Sequence, residues 1–481
     1  MRNGWILASL AAVGFSLAGC IGTDFGPINE QTSDVGPPSP AFIPETGDDG
    51  STVVGLAFSG GGTRAAAFGY GVLRELDDTL IDEYPKQRSL VDDIRLISGA
   101  SGGAVAAAYF GYKGRDDYRD FRERFLLRNA ESGMRKAVTP FNLFRAINGG
   151  VNNRSTFAQW LDRNLFDGAT FESLHWTNAP IVWINASDIY NRTPFLFSYD
   201  TFAALCSSLD DVKLADAVAA SAAVPVVFSP VVVSAKSPDC GYVRPHWLER
   251  ALAEKDVSVR LQAYAKALDS YQNVDALDYV KLLDGGLTDN IGVTGLTLER
   301  AASRTPYGPL SPVEAVKLST LIFIVADAGR EPSGNWAKTV SGPRLPALLS
   351  AISATSISAS VRDEFDALKL ATTAWQDDLI NYRCGLPAET VRRYRGSAVG
   401  WNCRDVQLVV EQISFADLDP TELALVNLVP TRLKLPAEQV DITIAAARHA
   451  LRANANIQAA IARVRRRAGV GSAPRVASAA E

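Results

Sequence analysis

Two glycine-rich turns, each directly after a short apolar run, constrain the fold of this chain more than any other feature of its sequence. The first turn is the triple glycine at 60–62, which follows the apolar run 53–58. The second is Gly-Ala-Ser-Gly-Gly at 99–103, which follows the run 94–97. Short apolar runs bounded by glycine are typical of strands buried on both faces, and helical spacing resumes after each turn. The alternation predicts an α/β fold with a parallel sheet.

Apolar periodicity extends this pattern along the chain. Further strands are predicted at 180–186, 279–283, 321–326 and 406–413, and helices at 63–77, 102–112, 247–271 and 436–456. The charged, alanine-rich helix before the strand at 279–283 is predicted to be an insertion, at about 245–275. We expect a core at 53–330, a C-terminal part completing the domain at 331–467, and a disordered tail at 468–481.

Composition limits the partners of the chain. Its 481 residues are 47% hydrophobic and 21% charged, which is ample for a globular core. The formal net charge is −5, and no basic stripe with interleaved aromatic residues is present. A nucleic-acid partner is therefore not expected. The oligomeric state stays open.

The N-terminus has the features of a bacterial lipoprotein signal. A short basic start precedes an apolar stretch at 5–17, and Leu-Ala-Gly-Cys at 17–20 is a small-residue cleavage site. The apolar stretch is too short to cross about 30 Å of hydrocarbon as a helix. We expect a signal peptide at 1–19 and lipid on Cys20, which would attach the protein to a membrane. Ile21, in place of an aspartate, favours the outer membrane of the cell envelope, on its periplasmic side or surface; an ordinary secretory signal is the alternative.

A flexible tether is predicted between the lipidated cysteine and the first strand. Residues 21–51 are rich in Gly, Pro, Ser, Thr and Asp and lack a hydrophobic period. Such a composition behaves as a coil. The tether, including the cysteine, would occupy 20–52 and let the domain face the bilayer or stand off it.

Four further cysteines would lie in an oxidising compartment. Their spacing suits a pair of Cys206 with Cys240 and a pair of Cys384 with Cys403, but four cysteines allow three pairings and the sequence cannot choose among them. Four buried thiols are the alternative. No Cys or His spacing typical of a metal site is present.

The two glycine-rich turns also carry candidate chemistry. Ser101 sits between an apolar strand and a helical run, where the neighbouring Gly99, Gly102 and Gly103 permit a crowded nucleophile turn. A glycine run that opens a helix leaves backbone N–H groups free for an anion, which predicts an oxyanion hole. Its residues are Gly60, Gly61, Gly62, Thr63 and Arg64. A dinucleotide-binding loop is the rival, but the second strand runs into the serine turn instead of ending in an acidic residue.

A nucleophilic serine needs a side chain that accepts its proton, and the chain offers histidines and aspartates as candidates. His175 and His246 stand beside tryptophans, and His449 falls in a helical, alanine-rich run, so a histidine triad is disfavoured. Asp284 ends an apolar strand, and partial burial would raise its pKa towards that of a general base. The Gly285 and Gly286 that follow leave it little steric cover. The Asp-Ala-Gly aspartate, Asp327, is the second candidate.

In this order, the motifs FSGGGTRAA (58–66), SGASGG (98–103) and LLDGGLTDN (282–290) resemble those of patatin-like phospholipases, and ASAAVPVVFSP (220–230) resembles a fourth block of that family. The resemblance implies a three-layer α/β fold, with a mainly parallel sheet between helices, and a Ser-Asp dyad that uses no cofactor and no metal. It assigns Ser101 as nucleophile, Asp284 as proton acceptor, and phospholipid or another acyl-ester lipid as substrate. Ala65 departs from the family's glycine, and the interval 284 − 101 = 183 residues is long.

Three functions are therefore in competition. The first is a membrane-tethered lipid acyl hydrolase of phospholipase A or lysophospholipase type. The second is a thioesterase or acyltransferase with the same dyad. The third is a non-catalytic lipid-binding lipoprotein, which the presence of both Ser101 and Asp284 disfavours.

Overall fold

The computed structural model describes residues 26–33, 35, 49–82, 87–137, 139–147, 149–235, 240–332 and 334–468. The expected signal peptide, Cys20 and the tail from 469 onward lie outside these residues.

An eight-stranded sheet forms the centre of the molecule, in the order β10-β9-β1-β4-β5-β8-β7 with β6 paired to β5. The strands β10, β9, β1, β4 and β5 are parallel, whereas β6, β7 and β8 pair antiparallel, so the sheet is mainly parallel as predicted. A separate hairpin joins β2 and β3. The strands are β1 (Thr52–Phe58), β2 (Leu80–Asp82), β3 (Arg88–Ser89), β4 (Ile94–Ala100), β5 (Ile181–Asp188), β6 (Thr193–Leu196), β7 (Val231–Ser234), β8 (Tyr279–Asp284), β9 (Thr320–Asp327) and β10 (Gln407–Ser414).

Helices pack against this sheet. They are α1 (Gly62–Asp78), α2 (Gly102–Asp117), α3 (Pro140–Ile147), α4 (Arg154–Leu161), α5 (Tyr199–Ala204), α6 (Leu214–Ser221), α7 (His246–Ala253), α8 (Val259–Ser270), α9 (Thr294–Ala302), α10 (Pro312–Lys317), α11 (Leu345–Cys384), α12 (Ala388–Arg395), α13 (Pro420–Asn427), α14 (Ala437–Ala453) and α15 (Ala455–Ala468). The strands β1 and β4 are buried along their whole length, as their apolar runs predict. None of the described helices combines the length and the apolar character that crossing a bilayer requires.

The register of the sheet brings the ends of five strands into one row. Each pairing links the last residues of one strand to those near the end of its neighbour. The pairs are Ala326 with Phe58, Phe58 with Gly99, Ala100 with Asn185, and Ala186 with Asp284. Residues that follow these positions therefore meet above a single edge of the sheet.

The direction of β8 differs from the sequence prediction. Asp284 was expected at the carboxyl edge of a parallel strand, but β8 runs antiparallel to β5. It pairs only with the last three residues of β5, Ala186 to Asp188, so its carboxyl end still stops in the same row as the other strand ends. The direction of β8 depends on the path of the long connection through α7 and α8. The apolar pattern of a strand contains no information on that path.

The C-terminal part belongs to the same sheet as the core. Strand β10 pairs with β9 along its whole length, and α14 packs on α1. The two helices approach closely at Gly71, where a Cβ atom would lie 2.7 Å from Cβ of Ala447. The 40-residue helix α11 docks through its second half, where Leu368, Trp375 and Leu379 are buried.

The insertion region contains two helices, α7 and α8, in place of one continuous helix. One disulfide precedes the insertion, and another lies within the C-terminal part of the chain. Cys206 pairs with Cys240, and Cys384 pairs with Cys403. The structure thereby chooses one of the three pairings that the sequence left open.

The expected tether is not a free coil over its whole length. The side chain of Asn29 is 7% exposed and donates to the Ser207 hydroxyl at 2.6 Å. The N–H of Ile28 donates to the carbonyl of Val232 at 2.9 Å. Residues 26–32 therefore dock on the domain, because backbone groups next to β7 supply partners that composition alone does not reveal.

Candidate active site

Ser101 occupies a strained turn between β4 and α2. Its backbone has φ 50° and ψ −118°, a conformation that residues other than glycine rarely adopt. Such strain costs about 1–3 kcal/mol and persists only where surrounding contacts enforce it. The residue is 7% exposed, so little of the serine is open to solvent.

Glycines flank the serine because other backbone segments press against the turn. A Cβ atom on Gly99 would lie 2.6 Å from the carbonyl carbon of Gly103. One on Gly102 would overlap the Gly62 carbonyl, and one on Gly103 would overlap the Phe58 carbonyl. Close packing therefore requires all three glycines predicted for the nucleophile turn: Gly99 packs on the start of α2, Gly102 on the first glycine loop, and Gly103 on the end of β1.

A hydrogen-bond chain fixes the backbone of the turn. The N–H of Ser101 donates to the Ser221 hydroxyl at 2.8 Å, and that hydroxyl donates to the Asn185 carbonyl at 2.6 Å. The Asn185 amide in turn donates to the Ser98 hydroxyl at 2.9 Å and to the Gly99 carbonyl at 3.0 Å. All these groups are buried, so the chain holds the serine turn with little freedom.

Asp284 lies beside the serine and is 9% exposed. Burial raises its pKa to about 6, while hydrogen bonds from the Gly286 N–H and the Ser101 hydroxyl lower it in part. The Gly286 contact, at 2.8 Å, has close donor–acceptor geometry. The Ser101 hydroxyl is the second donor that stabilises the ionised carboxylate. A carboxylate with this pKa is ionised at neutral pH yet basic enough to accept a proton.

The backbone around Asp284 is equally constrained. Its N–H donates to the Ala223 carbonyl at 3.0 Å, and its carbonyl accepts from the Ser187 hydroxyl at 2.8 Å. A Cβ atom on Gly285 would overlap the Asn185 carbonyl, which explains the first glycine of this motif. The second, Gly286, supplies the N–H that contacts the carboxylate.

The first glycine loop leaves two N–H groups open. Among the described residues, the N–H groups of Gly61 and Gly62 have no acceptor. These glycines have φ 143° and φ 64°, and a Cβ atom on Gly62 would lie 2.6 Å from the Arg432 carbonyl. Gly61 is the N-cap of α1 and Gly62 is its first residue, so both lie at the helix N-terminus, where the dipole favours an anion.

Three of the predicted oxyanion residues have other roles. The N–H of Gly60 donates to the Asn290 carbonyl at 2.9 Å, and that of Thr63 to the Arg432 carbonyl at 2.8 Å. Neither is available to an oxyanion. The Arg64 side chain is buried and donates to the carbonyls of Ala328 and Val429, both at 3.0 Å.

Arg64 therefore orients the loop and does not face a substrate. Burial lowers the pKa of Arg64 to about 10, which still leaves it charged at neutral pH. Its two carbonyl acceptors come from residues far along the chain, which explains why the sequence does not reveal them.

Four supporting residues escaped the sequence-based prediction. Ser221 and Asn290 lie in the blocks at 220–230 and 282–290, whose resemblance was a signal for them, whereas single Asn and Ser residues within a strand give none. These residues are Asn185, Ser187, Ser221 and Asn290. Asn290 links the acid motif to the glycine loop, since its carbonyl accepts from Gly60.

The three histidines lie elsewhere. His175 contacts Tyr199, His246 is exposed at the start of α7, and Nδ1 of His449 lies 2.5 Å from Glu422. In the described part of the chain, none hydrogen-bonds to the serine or to Asp284. His449, Glu422 and Asp419 are close enough together to hold a cation, but they belong to α13 and α14 and stay outside this site.

The second acidic candidate, Asp327, is the last residue of β9. It lies one position beyond Ala326, the residue of β9 that belongs to the row of strand ends. It accepts from the N–H of Gly329 at 2.9 Å and from the Gln412 amide at 3.0 Å. Its electrostatic partners are Ser59 and Arg64, and Ser101 is not among them. The geometry therefore brings Asp284, and not Asp327, to the serine.

Comparison with known proteins found similarity to a fungal protein and to a human enzyme. A protein of Neurospora crassa, described as patatin-like phospholipase domain-containing, is 28% identical over 233 residues. The match covers 46% of this chain but only 23% of that relative's length. Human GIVD cytosolic phospholipase A2 aligns with 14% identity and a TM-score of 0.40, over 87% of this chain and 60% of that one.

The family model for patatin-like phospholipases matches residues 56–297, which is half of the chain. The matched range begins in β1 and ends in α9, so it contains the glycine loop, Ser101 and Asp284. This chain belongs to the patatin-like phospholipase family.

Proposed function

We propose that the protein is a lipid acyl hydrolase in which Ser101 is the nucleophile and Asp284 the general base. The observation that carries this proposal is the position of a strained, glycine-flanked serine next to a buried carboxylate whose pKa is about 6. Family membership supports the same reaction class.

The first half of the reaction forms an acyl-enzyme. Asp284 takes the hydroxyl proton of Ser101 while Oγ attacks the carbonyl carbon of the ester. The N–H groups of Gly61 and Gly62 receive the negative charge on the carbonyl oxygen, which is worth about 3–4 kcal/mol per well-placed donor. When the intermediate collapses, the bond to the leaving alcohol breaks and protonated Asp284 returns the proton to that oxygen.

The second half repeats these steps with water. Asp284 accepts a proton from water, whose oxygen attacks the acyl carbon. The bond to Oγ breaks, Ser101 regains its proton, and the fatty acid leaves. Every proton is handled by one carboxylate, so the proposal requires no histidine, cofactor or metal ion.

A fluorophosphonate probe tests the nucleophile. Wild-type protein should be labelled and Ser101→Ala should not, whereas Ser356→Ala, which changes an exposed serine on α11, should retain labelling. Unlabelled wild-type protein, together with unchanged lipid turnover in Ser101→Ala, would overturn the proposal. Hydrolysis should be unchanged in EDTA; loss on chelation and recovery with added metal would contradict the metal-independent dyad.

The substrate is proposed to be a glycerophospholipid or a related acyl-ester lipid. Incubation with total lipid extract and mass spectrometry of the products should show free fatty acid and a lysophospholipid. Acyl transfer to a second lipid without release of fatty acid would instead identify an acyltransferase. Preference for an acyl thioester over the matching oxygen ester would identify a thioesterase.

Membrane attachment through Cys20 is a further part of the proposal. It rests on the signal-like sequence at 1–20 alone. Growth of an expressing bacterium with a tagged fatty acid should label wild-type protein but not Cys20→Ser. Labelling of both proteins would place the acyl group elsewhere.

A further inference from the structure

The helix α3 carries its apolar face outwards. The exposed fractions of Phe141, Leu143 and Ile147 are 51%, 59% and 77%, while Asn142 and Arg145 are partly covered. At 100° per residue, the three apolar side chains fall on one side of the helix and the two polar ones on the other. A helix at the surface of a soluble domain normally has the opposite orientation, so this face requires a partner.

The apolar face continues onto a neighbouring loop. Val224 and Val226 are 43% and 58% exposed. Val226 has φ 70°, an unfavourable conformation for a β-branched residue, and its carbonyl accepts from the N–H of Val151 at 3.1 Å. We call the side chains of Phe141, Leu143, Ile147, Val224 and Val226 the apolar patch.

The apolar patch borders the active site. Val224 directly follows Ala223, whose carbonyl accepts the N–H of Asp284 at 3.0 Å. A ligand that lies on the patch is therefore within a few residues of the proposed base. This continuity with the site favours an occupant that is also the source of substrate.

Charge around the patch selects among possible occupants. The segment 132–161 contains Arg135, Lys136, Arg145 and Arg154 and no acidic residue, in a chain with net charge −5. Two of the four cations pair with acids that lie outside this segment. Lys136 pairs with Glu131 at 2.5 Å, and Arg154 pairs with Asp216 at 3.0 Å.

The other two cations remain beside the apolar side chains. Arg135 bonds to the Val151 carbonyl at 3.5 Å, and Arg145 lies 4.5 Å from the ring centre of Phe141. An apolar face with flanking cations fits an anionic lipid surface, which offers hydrocarbon and phosphate together.

The start of the described chain lies on the same side. The Arg154 guanidinium, at the beginning of α4, donates to the carbonyls of Gly26 and Pro27 at 3.2 and 3.4 Å. Five residues lie between Cys20 and Gly26, and the six residue steps from one to the other span at most about 20 Å in an extended chain. A lipid on Cys20 would therefore enter the bilayer close to the patch.

We propose that the apolar patch docks the domain on an anionic phospholipid bilayer, with α3 lying in the interface and the active-site opening facing the lipid. The docking surface stands on its own geometry, while its use in lipid turnover rests on the proposed function.

Vesicle binding tests the proposal without activity. The full chain carrying Cys20→Ser and Ser101→Ala has neither anchor nor turnover, and it should sediment with vesicles of phosphatidylcholine and phosphatidylglycerol. Adding Leu143→Ser and Ile147→Ser should weaken binding by at least about tenfold, because two large side chains lose their burial in lipid. The matched control, Val259→Ser with Leu370→Ser, removes side chains that are 83% and 74% exposed on other elements and should bind like the parent.

Several outcomes would overturn the docking surface. Equal binding by the patch and control variants would do so, and equal binding to pure phosphatidylcholine would contradict the anionic preference. A dimer in sedimentation that only the patch variant loses, with unchanged vesicle binding, would make the patch a contact between two copies of the chain.

A second measurement guards against a folding defect in the double variant. In the Cys20→Ser background, Ile147→Cys labelled with an environment-sensitive dye should show a blue shift on anionic vesicles. The same dye on Val259→Cys should show none. A shift at both positions, or at neither, would contradict insertion of α3.

Activity separates the two proposals. With Ser101 intact, the patch variant should hydrolyse a water-soluble short-chain ester within about twofold of wild type but should lose at least about tenfold on vesicles. Wild-type protein that binds vesicles yet hydrolyses neither substrate would refute the proposed function and leave the docking surface standing.

Discussion

Two aspartates end separate strands of the same sheet in different environments. Asp284 is the last residue of β8 and Asp327 the last residue of β9; each precedes a short glycine-containing turn, and burial raises the pKa of each. Asp284 has the Gly286 N–H and the Ser101 hydroxyl as partners and no cation among its influences. Asp327 has Gly329, Gln412 and Ser59 as partners, together with the positive charge of Arg64.

The comparison separates a reactive carboxylate from a structural one. Asp327 has both oxygens engaged by donors, which stabilise its ionised form and tie β9 to β10. Asp284 has a single close donor at one oxygen and the serine nearby. A carboxylate without full compensation is costly to bury, and such positions are typical of general bases.

Exchange of each carboxylate for its amide should give the largest contrast. Asp284→Asn should lower kcat by at least about 1,000-fold, because an amide cannot accept the serine proton. Asp327→Asn should change kcat by less than about tenfold. Ester hydrolysis by the purified variants measures both, and comparable losses would show that β9 and not only β8 supplies the chemistry.

The pH dependence should follow Asp284. The base acts when ionised, so kcat/KM should fall about tenfold per pH unit below the pKa of about 6 and stay level above it. A rate profile between pH 4 and 8, measured on a neutral ester in buffers that leave the fold intact, tests this. A rate that is independent of pH across 5 to 7 would exclude Asp284 as the base.

Stability should increase more in Asp284→Asn than in Asp327→Asn. The raised pKa of Asp284 means that the folded protein holds a proton more tightly than the unfolded chain, so ionisation at neutral pH opposes folding. Asp284→Asn should therefore raise the free energy of unfolding by about 2 kcal/mol at pH 7. The gain should shrink as pH falls from about 6 to 4, because the wild-type carboxyl group then becomes neutral.

The pKa of Asp327 is raised as well, so its ionisation also opposes folding, but its donors offset part of that cost. Asp327→Asn should therefore raise the free energy of unfolding by less than Asp284→Asn does, since an amide has one acceptor oxygen for two donors. Urea unfolding of both variants at pH 7 and pH 5 provides the measurement. Equal stabilisation in both variants would mean that Asp327 is as poorly compensated as Asp284.

The smallest effect is expected at Ser221, which supports the serine turn on the side of Asp284. Ser221→Ala removes the acceptor of the Ser101 N–H, and kcat should fall about fivefold with little change in KM. Ser198→Ala, which removes the cap of α5, is the control and should affect stability without affecting kcat. A larger loss of kcat in the control would mean that general destabilisation explains both.

Much of the fold was accessible to sequence reasoning because its signals are local. The apolar runs before the two glycine turns predicted β1 and β4, and the run at 406–413 predicted β10, within three residues at each end. The family assignment is confirmed over 56–297. The structure brings Ser101 and Asp284 together, and their catalytic roles stay a prediction.

Other features depend on partners far apart in the chain. Which N–H groups of the glycine loop remain open is decided by Asn290 and Arg432, and the buried position of Arg64 is decided by Ala328 and Val429. The docking of residues 26–32 beside β7 is of the same kind. Periodicity and composition contain no information on such contacts.

The sequence by itself determined which chemical groups the protein has and the local turns that carry them, because glycine spacing and apolar runs act over a few residues. Tertiary structure alone decided that β8 runs antiparallel yet ends beside the serine, which amides stay open, and that α3 carries its apolar face outwards. These properties arise from burial and from hydrogen bonds between residues tens to hundreds of positions apart, and they exist only once the chain has folded.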